Sequence, residues 1–130
     1  MKRITLEWVN KAEGDYALVT RECRVRKHRN NDAICFHAQQ CAEKYLKARL
    51  AEAGISFPKI HDLAILLDMV QNLEPMWGAH GLDLAFLTDF AVKFRYPGES
   101  ADKETAMNAH KMCSAFRKTV RASMHLRNTQ

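Results

Sequence analysis

The sequence is short of the residues that interrupt helices, with only five glycines and three prolines in 130 residues. These gather at Gly54 to Pro58, Pro75 to Gly81 and Pro97-Gly98, leaving long uninterrupted stretches between them. No run alternates polar and apolar residues between turn clusters, which argues against strands. No stretch approaches the roughly 18 consecutive apolar residues of a membrane span. Lys2, Arg3 and Glu7 place charge where a signal peptide would need its apolar core, so a cytoplasmic protein without membrane contact is expected. The four cysteines (Cys23, Cys35, Cys41, Cys113) include no C-x-x-C pair, and each falls at an apolar helical position. They are expected to be small buried hydrophobes in a reducing compartment, not disulfide partners or zinc ligands. Also lacking are a phosphate-cradling glycine loop, a His-Glu-x-x-His pair and a nucleophile elbow. His37 and Cys41 stand four apart but have no second pair to complete a site, so neither metal nor cofactor is expected.

What is present suits one helical domain spanning 1–130. Hydrophobic residues at 47% suffice for a core without disulfides, and 27% charged residues for a solvated surface. The breaks, with the basic stretch near 26–31, divide the chain into five helical segments joined by short connections, which predicts an all-α, up-and-down bundle of four to five antiparallel helices.

Helix one is predicted over Thr5–Arg24, with Ile4, Trp8, Ala12, Val19 and Cys23 on one face. Asp15 lies in the middle of that face and Lys11 on its edge; a carboxylate there is costly unless it is paired. Helix two is predicted over Asn31–Ala53, with Asn31 or Asp32 as N-cap and Gly54 as its stop. Its apolar residues form two flanks, and His37, Gln40, Glu43, Lys44 and Lys47 share the arc between them. That stripe reads either as a polar groove or as long side chains reaching for solvent. Helix three is expected to start near Lys59 or His61 and to carry Leu63, Leu66, Leu67 and Val70. Helix four, Leu82–Phe94, is apolar around most of its circumference and is expected to be the most buried element. Helix five, Ala101–Leu126, is expected to bury Ala109, Cys113, Phe116, Val120 and Met124, with Lys111, Lys118 and Arg121 facing away.

The net charge is +5, and Arg21, Arg24, Arg26, Lys27 and Arg29 fall within nine residues. Such a cluster can attract nucleic acid, nucleotide phosphates or an acidic protein; it also suits a solvated loop that favours the end of the preceding helix. No aromatic interleaves the charges, which weakens the case for RNA. A second set consists of polar residues where a bundle prefers apolar ones: Asp15; His37, Gln40, Lys44 and Lys47; His61 and Asp62; Arg95 and Tyr96. Arg95 and the lysines suit an anion, and the same set also reads as an internal ion-pair network.

Four segments carry a resemblance. Trp8-Val9-Asn10-Lys11-Ala12-Glu13-Gly14-Asp15-Tyr16 and Cys35-Phe36-His37-Ala38-Gln39-Gln40-Cys41-Ala42-Glu43-Lys44-Tyr45-Leu46-Lys47 resemble the first two helices of the HEPN family, the higher-eukaryote and prokaryote nucleotide-binding domain. Phe57-Pro58-Lys59-Ile60-His61-Asp62-Leu63 resembles its third-helix entry, and Phe94-Arg95-Tyr96-Pro97-Gly98 its helix-four ending. The resemblance implies a helical bundle, usually a homodimer, in one of two roles. Many short prokaryotic members accompany a minimal nucleotidyltransferase as a toxin–antitoxin or nucleotide-transfer pair. Others are metal-independent ribonucleases with an Arg followed, after four to six residues, by a His. Here Arg95 is followed by Tyr96-Pro97-Gly98-Glu99-Ser100-Ala101-Asp102, and the next His is His110. Without that His, Arg95 keeps an anion-binding role. The expectation is a non-catalytic nucleotide-binding partner of a nucleotidyltransferase, with a ribonuclease toxin or a structural interaction module as alternatives.

Overall fold

A computed structural model of the protein describes residues 1–127. Its α-helices are α1 (Arg3–Cys23), α2 (Asn31–Glu52), α3 (Leu63–Val70), α4 (Gly81–Thr88) and α5 (Lys103–Ser123). Short 3₁₀ turns at Pro75–His80 and Asp89–Ala91 flank α4. No strand occurs among the described residues.

The helix ends follow local chemistry. Asn30, one residue before the predicted caps, starts α2 by accepting from the Ala33 N–H. Asp32 instead accepts from the Ala101 backbone N–H at 2.7 Å and so ties the start of α2 to the approach of α5. At the far end of α2, Gly54 takes φ +72°, which lets Ile55 N–H reach Leu50 C=O and Gly54 N–H reach Ala51 C=O. This satisfies carbonyls the helix would otherwise strand, and a Cβ would strain it. α3 begins later than predicted, at Leu63, because Asp62 caps it through the Ala64 and Ile65 N–H groups. Asp102 caps α5 in the same way through Thr105, setting its start at Lys103.

Directions follow from the side-chain pairs. Thr5 meets Glu52 and Asp15 meets Lys44, so α1 and α2 are antiparallel. Tyr16 meets Ser114 and Glu13 meets Arg117, so α1 and α5 are antiparallel too. α2 and α5 therefore run side by side in the same direction. The return passage lies between α2 and α3: residues 54–62 double back along α2 until His61 reaches Gln39 and Glu43, and α3 then rises so that Glu74 meets Arg49. α4 descends from His80 beside Thr119 to Thr88 beside Leu63, and the segment after it reaches Asp32, where α5 begins.

Burial corrects the expectation for helix four. α2 is the core axis, with residues from Ile34 to Leu50 buried on both flanks. α4 ends at Thr88, where the side-chain hydroxyl accepts from Leu63 N–H. Leu82 is 88% exposed and Val92 56%, while only Leu84 and Leu87 of α4 are buried. The apolar circumference was real, but one side of it faces outward. On α5, Ala109, Cys113, Phe116, Val120 and Met124 are buried as the period predicts. Arg121 is the second correction: it is buried, not turned away.

Candidate functional site

Asp15 is buried at the α1–α2 seam. Its Oδ1 lies 2.7 Å from His37 Nδ1, and its Oδ2 accepts from Lys44 Nζ at 2.6 Å. His37 and Lys44 are seven residues apart, two turns along one face of α2. A carboxylate can only accept, so Nδ1 is the donor to Asp15 and Nε2 is left without a part in that bond. The Phe36 ring stands edge-on to His37 with centroids 5.1 Å apart. Over Phe36, at 5.8 Å, lies the guanidinium of Arg95, delivered by the segment after α4. Arg95 and Tyr96 are exposed, and no carboxylate pairs with Arg95 among the described residues. His37 and Lys44 keep about a quarter of their side chains in solvent. The result is an open, cationic face with an aromatic ring at its centre.

The other predicted residues divide around it. Glu43 is buried and gathers Lys47 Nζ at 3.0 Å, Gln39 Nε2 at 3.1 Å and His61 Nδ1 at 2.9 Å. Lys47 also sits 5.6 Å from the Trp8 ring and 5.7 Å from Phe57. With a buried ion pair and two rings around it, Lys47 is part of the packing. Gln40 donates to the Gln39 side chain at 2.7 Å, which holds its amide inside the same network. Asp62 is occupied as the α3 cap. His61 has 64% of its side chain exposed and touches Glu43 through one nitrogen only. Lys11 is exposed one turn before Asp15.

The basic stretch does not act as a unit. Arg29 is tied into its loop, donating to Asn31 Oδ1 at 2.9 Å and to the Val25 carbonyl. Arg26 and Lys27 are exposed on the loop, whereas Arg21 and Arg24 belong to the end of α1 and line a groove beside α5.

Sequence reasoning missed a second cluster. Arg117 grips Glu13 with two hydrogen bonds of 2.7 Å and lies 4.2 Å over the Tyr16 ring. Tyr45 OH donates to Glu13 and accepts from Arg121 Nη1 at 2.9 Å. Arg121 Nη2 donates to the Arg127 carbonyl. Burial works against the Glu13 charge, but hydrogen bonds from Arg117 and Tyr45 outweigh it and hold the carboxyl below its usual range. Burial, reinforced by Glu13, pushes the Tyr45 phenol up. The available signal was Arg117 and Arg121 four apart on α5, but their partners are remote in sequence.

Two further groups bear on chemistry. The cysteines are free, and burial pushes the Cys35 thiol up to about 12 and Cys41 well above its ordinary value, which makes both poor nucleophiles. His110 packs against Tyr16 with centroids 6.2 Å apart, and burial lowers its pKa. Among the described residues no group of three His, Cys, Asp or Glu side chains is placed to hold a metal ion, and no helix is long and apolar enough to cross a membrane.

Comparison with known families places this architecture. The HEPN domain family matches residues 5–123, and the chain belongs to that family. Neither the curated proteins nor the solved structures contain a match to it.

Proposed function

We propose that this HEPN chain is a non-catalytic, nucleotide-binding module that pairs with a second copy of itself and serves a nucleotidyltransferase-domain partner in a toxin–antitoxin-like pair. The observation that carries the nucleotide reading is the Arg95 guanidinium over Phe36, beside the Asp15–His37–Lys44 cluster. A fork of N–H donors with no protein carboxylate suits a phosphate, and Lys44 adds a second cation within the same face. Phe36 and the exposed Tyr96 offer apolar surface for a base. Asp15 holds His37 and Lys44 in place, so the face needs little ordering when a ligand arrives.

The exposed Leu82, Phe86 and Ile65 on α3 and α4 supply an apolar surface for the second copy. The non-catalytic reading rests on the absence of a His in the window after Arg95, and on His110 being packed against Tyr16. Calorimetric titration of purified protein with adenine and guanine nucleotides, wild type beside Arg95→Ala, tests it. Saturable binding lost in the variant is expected. A folded wild type that takes up no nucleotide at millimolar concentration contradicts it.

One observation favours a second reading, a metal-independent ribonuclease. Asp15 fixes His37 so that Nε2 is available as a base, and Arg95 shares the Phe36 ring with it. In that reading His37 takes the proton of a ribose 2′-hydroxyl as it attacks the adjacent phosphate, and Arg95 steadies the phosphate charge. RNA cleavage abolished by His37→Ala and by Arg95→Ala would establish it; an inert wild type removes it.

A further inference from the structure

Away from the α2 face, α1 and α5 bound an open groove of about 690 Å³. On α1 its wall is formed by Leu6, Asn10, Glu13, Ala17, Arg21 and Arg24, a stripe at three- and four-residue spacing along nearly the whole helix. From Leu6 to Arg24 that is about 27 Å of helix at 1.5 Å per residue. Arg117, Arg121 and Leu126 form the opposite wall. A long trough between two helices, read out at helical spacing, has the shape a further helix fills by its own i, i+3, i+4, i+7 side chains.

Charge and hydrogen bonding say what that helix carries. Four arginines line the groove against one glutamate. Arg117 and Arg121 take up Glu13 at one level, while Arg21 and Arg24 are exposed farther along α1. Arg121 is 95% buried by its relative exposure of 5%, yet its Nε finds no acceptor among the described residues, and neither does the buried Thr20 hydroxyl find a partner. A buried donor without an acceptor is costly, and a ligand that brings one recovers that cost. A second copy of this chain is given the α3–α4 face above, which leaves this groove to a different protein whose acidic side chains answer the four arginines. Single-stranded RNA is disfavoured because the apolar lining is aliphatic (Leu6, Val9, Ala17) and the Tyr16 ring already carries Arg117.

We propose that the α1–α5 groove docks an amphipathic helix of a partner protein whose flanking side chains are acidic. The site is separate from the α2 face and does not depend on nucleotide binding there.

The test uses a fluorescent 18-residue helical peptide with leucines at i, i+3, i+4, i+7 spacing flanked by glutamates, titrated onto the full chain and read by anisotropy. Controls are the same peptide with lysines for glutamates and a single-stranded oligouridine. Saturable binding of the glutamate peptide is expected, with no binding of the lysine peptide. The double variant Arg21→Glu, Arg24→Glu should weaken it about ten-fold or more, since both side chains are exposed and their reversal repels the acidic flank. Ala17→Trp, which fills the trough from an exposed position, should weaken it similarly. Circular dichroism melts check that both variants fold. Failure of the glutamate peptide to bind, equal binding of the lysine peptide, binding untouched by both variants, or displacement of the peptide by tighter-binding oligouridine each overturns the proposal.

Discussion

Two charged clusters lie within two residues of each other on α1 and behave in opposite ways. Glu13 faces α5 and is enclosed by Arg117, Tyr45 and Arg121, with the cations committed to the protein itself. Asp15 faces α2, and its partners His37 and Lys44 remain partly in solvent beside an uncommitted Arg95. The residue types are nearly the same in both. What differs is where the donors stand: the first cluster spends its donors, the buried Arg121 Nε apart, on fastening three long helices together, and the second holds donors ready at the surface. A charged residue in a bundle is therefore read by what remains unsatisfied around it, not by its presence on an apolar stripe.

The sharpest way to break this comparison is to remove each carboxylate. Glu13→Ala strands two arginines and a tyrosine hydroxyl in a largely buried setting and is expected to cost about 3 kcal/mol in denaturant unfolding. A loss under about 1 kcal/mol would show that the network is not fastening the bundle. Asp15→Asn removes the charge but keeps one acceptor, and its partners can turn to water. It should cost about 1–2 kcal/mol in the same measurement.

Acid sharpens the contrast further. The Glu13 carboxyl is held below its ordinary value of 4.5 in the folded chain, so below that value the unfolded chain binds the extra proton. Its contribution is present above about pH 4.5 and is lost as pH falls through the folded value. His110, lowered by burial from 6.5, adds a loss of the same sign beginning nearer pH 6.5. Unfolding curves from pH 7 to 3 should show stability declining in both windows, with the lower one reduced in Glu13→Gln and the remainder carried by Glu52 and Asp102, which hydrogen bonds also hold below their ordinary values.

The smallest expected effect on stability is at the open face. Arg95→Ala should change unfolding free energy by no more than about 0.5 kcal/mol, since Arg95 is exposed and without a carboxylate partner. Its nucleotide binding should nonetheless disappear. A stability loss as large as that of Glu13→Ala would make Arg95 a structural residue.

Much of this was legible in the sequence. Scarce glycine and proline with 3.6-residue periodicity was enough for the all-α bundle, and the buried stripe of α5 appears residue for residue. Asp15 stood out because a carboxylate on an apolar stripe demands a partner, and Arg95 because the resemblance pointed to it. Helix four misled because an apolar circumference records what a helix can bury, not what this chain alone covers; Leu82 waits for another surface. Glu13 lies just off the α1 stripe, and its arginines come from more than a hundred residues away, so no local pattern connects them. Arg121 was placed outside because periodicity ranks it polar; it is buried because Tyr45 and the Arg127 carbonyl give its donors somewhere to go.

The most direct test of the division between an open ligand face and a closed fastening is nuclear magnetic resonance on isotope-labelled protein titrated with ATP. Shift changes concentrated at Phe36, His37, Lys44 and Arg95, with Tyr45, Arg117 and Arg121 unmoved, are the predicted result. Changes centred on α5, or none at saturating nucleotide, would contradict it.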